Sequence, residues 1–254
     1  MRFIVIRVKY IIFAVIALVL ISGVLLTSRR AVTTFLSGGR EIPIYSVERP
    51  DDKIALTFDC AWNDDDIDEI ISVLEKYKCK ATFFVTGKWA EDYSSSLNKL
   101  YRSGFEIGIH SYNHDDYTKM SREEIERDME KCDTAVMKAT GYKPVIARAP
   151  SGAYNDNVVK TIEDSGRACI QWSVDGLDYV EGASVDGICE KVISNTSDGD
   201  IILLHNGTEF TAAALPEIIE KLRVGHELVN VSELIYKNNY TIDHTGRQKS
   251  GGMM

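Results

Sequence analysis

Acidic residues are missing from the first 40 positions, which hold six of the chain's 29 Lys and Arg but none of its 38 Asp and Glu. The rest of the 254-residue chain therefore sets 23 basic against 38 acidic residues, a net of −15 against −9 for the whole. A domain that acidic would repel the phosphates it had to neutralise, so nucleic acid is excluded as a partner. A dense cysteine framework is missing too. Cys60, Cys79, Cys132, Cys169 and Cys189 are odd in number, widely spaced and without a Cys-x-x-Cys pair. They read as small buried hydrophobes, with Cys60 set apart below. No Gly-x-Ser-x-Gly is present, which argues against a serine hydrolase. Internal repeats and low-complexity tracts are also lacking.

What the acid-free leader does contain is one long apolar run, Tyr10 to Thr27 (YIIFAVIALVLISGVLLT). Its length suits a helix crossing a bilayer. Arg2, Arg7 and Lys9 precede it and Arg29 and Arg30 follow, a slight bias towards an inside N-terminus and an exported remainder. A cleaved signal peptide is the rival, but the run is long for that and no small-x-small site closes it. The expected organisation is a cytoplasmic 1–9, a single-pass anchor at 10–27 and a spacer at 28–50. A folded domain over 51–240 and a flexible tail at 241–254 complete it.

From Lys53 onward strand-like and helix-like segments alternate. Strands are expected at Ile54 to Asp59, Ala81 to Thr86, Glu106 to His110, Val145 to Arg148, Ala168 to Val174, Asp200 to His205 and Glu227 to Val231. Ile67, Ile70, Ile71 and Leu74 fall at helical spacing. Ser121 with Glu124 forms a capping box that opens another helix, stopped near Gly141 and Pro144. Further helices are expected around Leu97 to Arg102, Asn157 to Ser165, Ser184 to Ser194 and Ala213 to Arg223. Such alternation predicts an α/β fold with a parallel sheet, open or closed into a barrel. Asp59, His110, Arg148, Asp175 and His205 each end a predicted strand, where β/α barrels build their active sites.

His110-Ser-Tyr-Asn-His114 sets two imidazoles four positions apart, able to share a divalent metal if the segment turns helically. Alone, two histidines at this spacing in a loop are more often hydrogen-bonded surface residues than ligands. Five segments in order give it company: Thr57-Phe58-Asp59-Cys60, His110-Ser111-Tyr112-Asn113-His114, Arg148-Ala149-Pro150, Asp175-Gly176-Leu177-Asp178-Tyr179 and Leu203-Leu204-His205. In this order they resemble the motifs of the polysaccharide deacetylase (NodB-homology) domain of carbohydrate esterase family 4. The resemblance runs from about Lys53 to Leu234 and is nearest to the membrane-anchored, sporulation-associated subgroup.

The resemblance implies a distorted (β/α) barrel and removal of N-acetyl groups from a cell-wall glycan, with peptidoglycan the expected substrate. It implies a divalent metal, zinc or else cobalt, on His110 and His114. Asp59 would be the general base held by Arg148, and His205 the general acid supported by Asp178. The Ser151 N–H would face the oxyanion, while Leu203 and Tyr179 would contact substrate. Asp175 serves equally well as a strand-end cap, and Trp172 reads as a packing residue. The pattern breaks at Cys60, where most of the family has a metal-binding Asp. A Cys60 thiolate could replace it, Asp64, Asp65 or Asp66 could swing in with Asp64 first, or two histidines and waters could suffice. If none serves, the chain is a silent glycan-binding protein on the same fold. No protein partner is legible.

Overall fold

The computed structural model describes residues 40–251. The expected anchor at Tyr10 to Thr27 lies outside them. Among the described residues no helix is long and apolar enough to cross a membrane.

The architecture follows from one strand, β2 (Lys53–Cys60), which is buried along nearly its whole length. Ile54, Leu56, Phe58 and Cys60 point to one face and join the core beneath the helices, while Ala55 belongs to a second, interior cluster. Thr57 and Asp59 share the face of Ala55, as the two-residue period of a strand requires. Around β2 the sheet orders as β6-β5-β4-β3-β2-β8-β7, every pair parallel. The members are β3 (Thr82–Val85), β4 (Glu106–Ile109), β5 (Ile146–Ala147), β6 (Ala168–Cys169), β7 (Val174–Asp175) and β8 (Ile201–His205). A short β9 (Glu227–Leu228) pairs with the start of β2. The ends of the order, β6 and β7, are not joined to each other, so the barrel is open there.

Among the described residues eight helices connect the strands. In chain order they are α1 (Ile67–Tyr77), α2 (Gly87–Asp92), α3 (Ser94–Arg102), α4 (Arg122–Thr140), α5 (Asp156–Asp164), α6 (Val185–Asn195), α7 (Thr211–Leu222) and α8 (Val231–Leu234). The capping box at Ser121 and Glu124 is formed, and α4 ends on Gly141 at φ 73°, a left-handed turn that glycine takes without strain.

Several boundaries differ from the sequence expectation. The run Ala168 to Val174 is two strands, because Ile170 bridges Ile44 and the Gln171 N–H donates to the Ile44 carbonyl. Glu227 to Val231 is a two-residue strand followed by the turn of α8. The spacer at 28–50 enters the fold at its far end: Ile44 and Val47 are core residues and Ser46–Val47 forms β1. Much of the expected flexible tail is sheet as well. β10 (Tyr240–Ile242) and β11 (Arg247–Ser250) form a hairpin on β1, pinned by buried Gln248, whose side chain bonds both backbone groups of Tyr236.

Candidate active site

Asp59 and His205 occupy matched positions on the hydrogen-bonded strands β2 and β8. The ladder alone thus sets a carboxylate beside an imidazole at the carboxyl ends of the strands. Arg148, fully buried just past β5, completes the interior. Its Nη1 donates to Asp59 Oδ1 at 2.6 Å and to Thr57 Oγ1 at 3.0 Å, and its Nη2 donates to the Gln171 carbonyl. The guanidinium also stacks 4.1 Å from the Phe84 ring centroid. Burial alone would push the Asp59 carboxyl up. The Arg148 charge, with smaller contributions from His110 and His205, outweighs it and holds Asp59 below the usual carboxylate range.

His110 Nδ1 lies 2.9 Å from the Arg148 carbonyl oxygen. A carbonyl only accepts, so Nδ1 carries the proton and Nε2 presents a lone pair. Burial, which outweighs the Asp59 charge, drops this imidazole to about 4, so it is neutral at physiological pH. Nε2 then lies 3.3 Å from Asp59 Oδ2 with acceptor facing acceptor, not as an ion pair. That arrangement suits a cation.

His114 reaches the same cleft, its ring centroid 4.9 Å from that of His110. The two come together without the helical turn on which the sequence makes their shared metal conditional. Ser111 and His114 adopt left-handed backbone (φ 63° and 64°), as do Ser151 and Leu177 in neighbouring loops (56° and 53°). Each costs roughly 1–2 kcal/mol for a non-glycine residue, and such strain gathers at functional sites. The first N–H groups of α2, from Gly87 and Lys88, hold the histidine loop by donating to the carbonyls of Ser111 and Tyr112. Gly87 is required there, since a Cβ would lie 2.3 Å from the Tyr112 ring.

His205 Nδ1 lies 2.8 Å from Asp178 Oδ1, while the His205 backbone N–H and the Thr211 hydroxyl both donate to Asp178 Oδ2. Burial would lower the imidazole pKa, but the hydrogen bond and charge of Asp178 reverse this and raise it above the ordinary value. The carboxylate fixes the proton on Nδ1 and leaves Nε2 for chemistry. Asp175 is a turn residue instead, accepting from the Leu177 N–H and more distantly from the Tyr179 hydroxyl.

Asp59, His110, His114, Ser151, Leu203, Tyr179 and His205 thus line one cleft of about 370 Å³, and Trp62 and Trp172 join them. Trp172 is more than packing. Trp62 was not anticipated from sequence, although an aromatic residue just past a strand-end carboxylate is a readable signal.

Cys60 and Asp64 are not brought together with the histidines. The Cys60 side chain lies on the opposite face of β2 from Asp59, in the apolar cluster, and burial pushes its thiol well above the usual range. A protonated thiol facing the helices is no metal ligand. Asp64 accepts from the Ser96 hydroxyl at 2.5 Å, and Asp66 takes the Gly207 N–H. Asp65 is exposed and, like those two, does not line the cleft. Among the described residues no group of three His, Cys, Asp or Glu side chains is arranged to hold a metal ion. The donors available to a divalent cation are thus the His110 and His114 imidazoles in the cleft, without the expected third ligand.

The family model described as "Polysaccharide deacetylase" matches residues 46–170. The peptidoglycan-N-acetylglucosamine deacetylase PgdA of Listeria monocytogenes is 33% identical over 79% of this chain and 42% of its own length. A chitooligosaccharide deacetylase of Sinorhizobium fredii is 33% identical over 61% of this chain and 72% of its own. Among solved structures, a Bacillus anthracis protein described as a CE4 family pseudoenzyme superposes with a TM-score of 0.73 at 31% identity. That match covers 77% of this chain and 69% of the other. A mutant of that protein is described as having restored enzymatic activity. The chain spans 42% to 60% of the length of several curated relatives it matches.

Proposed function

Because this chain belongs to the polysaccharide deacetylase family, we propose that its folded domain hydrolyses the N-acetyl amide of amino sugars in a cell-wall glycan, peptidoglycan foremost. The observation that carries this reading is the pairing of two differently tuned groups across one cleft. Asp59 is held ionised by Arg148, and His205 is biased towards its protonated form by Asp178. Such a divergence separates a general base from a general acid.

Asp59 takes a proton from water as the oxygen adds to the acetyl carbon. His205 then gives a proton to the amide nitrogen as the C–N bond breaks, releasing acetate and leaving a free amine on the sugar. The Ser151 N–H would stabilise the oxyanion, and Leu203 with Trp172 would enclose the methyl group. A divalent cation, zinc first and cobalt second, would be held by His110 and His114 and would polarise the acetyl carbonyl.

The test is acetate release by the full chain from N-acetylglucosamine oligomers and from peptidoglycan fragments, with zinc or cobalt added. Release abolished by Asp59→Asn supports the reading. Metal uptake without acetate from either substrate overturns it.

Part of the same proposal is that Tyr10 to Thr27 anchors the chain as a single pass with the domain outside. Proteolysis of the domain on intact cells tests this. The subgroup resemblance adds a use in sporulation. A second reading, a catalytically silent glycan-binding protein, is favoured by the placement of Cys60. It requires that no divalent metal be taken up at micromolar concentration and that His114→Ala leave this unchanged.

A further inference from the structure

Trp62 has no part in the acid-base chemistry, yet it is 47% exposed at the edge of the cleft. One face of its indole stacks on His205, centroids 5.2 Å apart and planes 28° from parallel. Tyr179, 48% exposed, meets the same imidazole edge-on at 4.9 Å. The two aromatic residues are also shared with a second cavity of about 560 Å³, whose walls include Val180, Glu181, Glu209 and Phe210. Trp62 and Tyr179 therefore stand on the divide between the reaction cleft and an open groove.

An exposed tryptophan is usually free to turn, but this one sits on a tethered loop. The Asn63 carbonyl accepts from Trp89 Nε1 at 3.1 Å and from the Asn206 side chain, and Asp66 takes the Gly207 N–H. Asp64 is tied to Ser96. The loop is thus fixed to three other parts of the fold, and Trp62 is presented preorganised. A flat apolar surface at the rim of a polar cleft matches the C–H face of a pyranose, whose hydroxyls point outward around its edge. The groove wall adds carboxylates from Asp178, Glu181 and Glu209 but no Lys or Arg.

We propose that Trp62 is a specificity residue: the platform for the sugar adjoining the one whose acetyl group enters the cleft. The inference rests on the glycan reading above. That neighbouring sugar is an uncharged pyranose, since the acidic groove opposes a carboxylate-bearing one. Trp62 thereby makes the protein a reader of oligomers and not of single sugars.

The experiment measures binding by calorimetry, using the full chain treated with chelator so that turnover does not interfere. The probes are N-acetylglucosamine and its β-linked tetramer. Trp62→Ala is expected to weaken tetramer binding roughly five- to tenfold, the size of one aromatic contact, with a smaller effect on the monomer. Trp62→Phe recovers most of the loss. Equal loss for monomer and tetramer, unchanged tetramer affinity, or no tetramer binding by the wild-type chain each overturns the proposal. Acetate release is measured in parallel on metal-loaded wild-type protein. Trp62-dependent binding without acetate removes the hydrolase reading and leaves this one standing.

Discussion

His205 and Asp178 meet twice: the imidazole Nδ1 lies 2.8 Å from one carboxylate oxygen, and the His205 backbone N–H donates to the other at 2.7 Å. One aspartate thus orients the ring and raises its affinity for a proton. With His205 as the proposed general acid, the protonated form is the one that would act, so kcat/KM is expected to fall as pH rises through the raised His205 value. In Asp178→Asn the charge is gone and burial dominates, which lowers the imidazole pKa. The alkaline limb should move to lower pH, with turnover down about 10²–10⁴-fold. An unmoved limb in a pH–rate profile would remove His205 from the acid role.

At the other side of the cleft, Asp59→Asn keeps the shape but cannot take a proton. Acetate release is expected to drop about 10²–10⁴-fold. Because Arg148 depresses the Asp59 pKa, the acidic limb of the wild-type profile is expected below the ordinary carboxylate range.

The Asp59–Arg148 pair is also structural, since both partners are buried and removing one strands the other. Arg148→Met should destabilise the fold by about 3–5 kcal/mol in urea unfolding. Adding Asp59→Asn should restore part of the loss, so the two effects will not sum.

His110 gives a spectroscopic test. In metal-free protein its ring should remain neutral with the proton on Nδ1 down to about pH 4, whereas His205 titrates above the ordinary histidine value. Nitrogen-detected imidazole spectra distinguish the tautomers. A His110 that titrates near neutrality contradicts the arrangement.

Cys60 should be silent. Cys60→Ala is expected to leave zinc affinity within about twofold of wild type, while His114→Ala lowers it at least tenfold, as for loss of one of two imidazoles. A thiol reagent should reach Cys60 only on unfolding.

Much of this was legible in advance because it is local. Apolar alternation with a polar strand end marked Asp59, His110 and His205, and the Ser121 box marked its helix. What was missed depends on partners distant in sequence. Nothing in Arg247 to Ser250, a polar run, reveals that β1, its partner, lies 201 positions earlier. The Ala168 to Val174 strand divides only because Ile44 arrives beside it. Cys60 is the instructive case. Ending the strand at Asp59 frees the next residue to turn into the cleft, whereas one more residue of strand turns it away.

The rung that joins Asp59 to His205 has a broader consequence. Their separation is inherited from the backbone spacing of two neighbouring parallel strands, a length that every such sheet shares. Trp62 and Tyr179 belong to the turns beyond. Substitutions in the 61–66 and 179–183 turns, which leave Asp178 in place, are therefore expected to alter which glycan is accepted while the proton-handling pair stays in step.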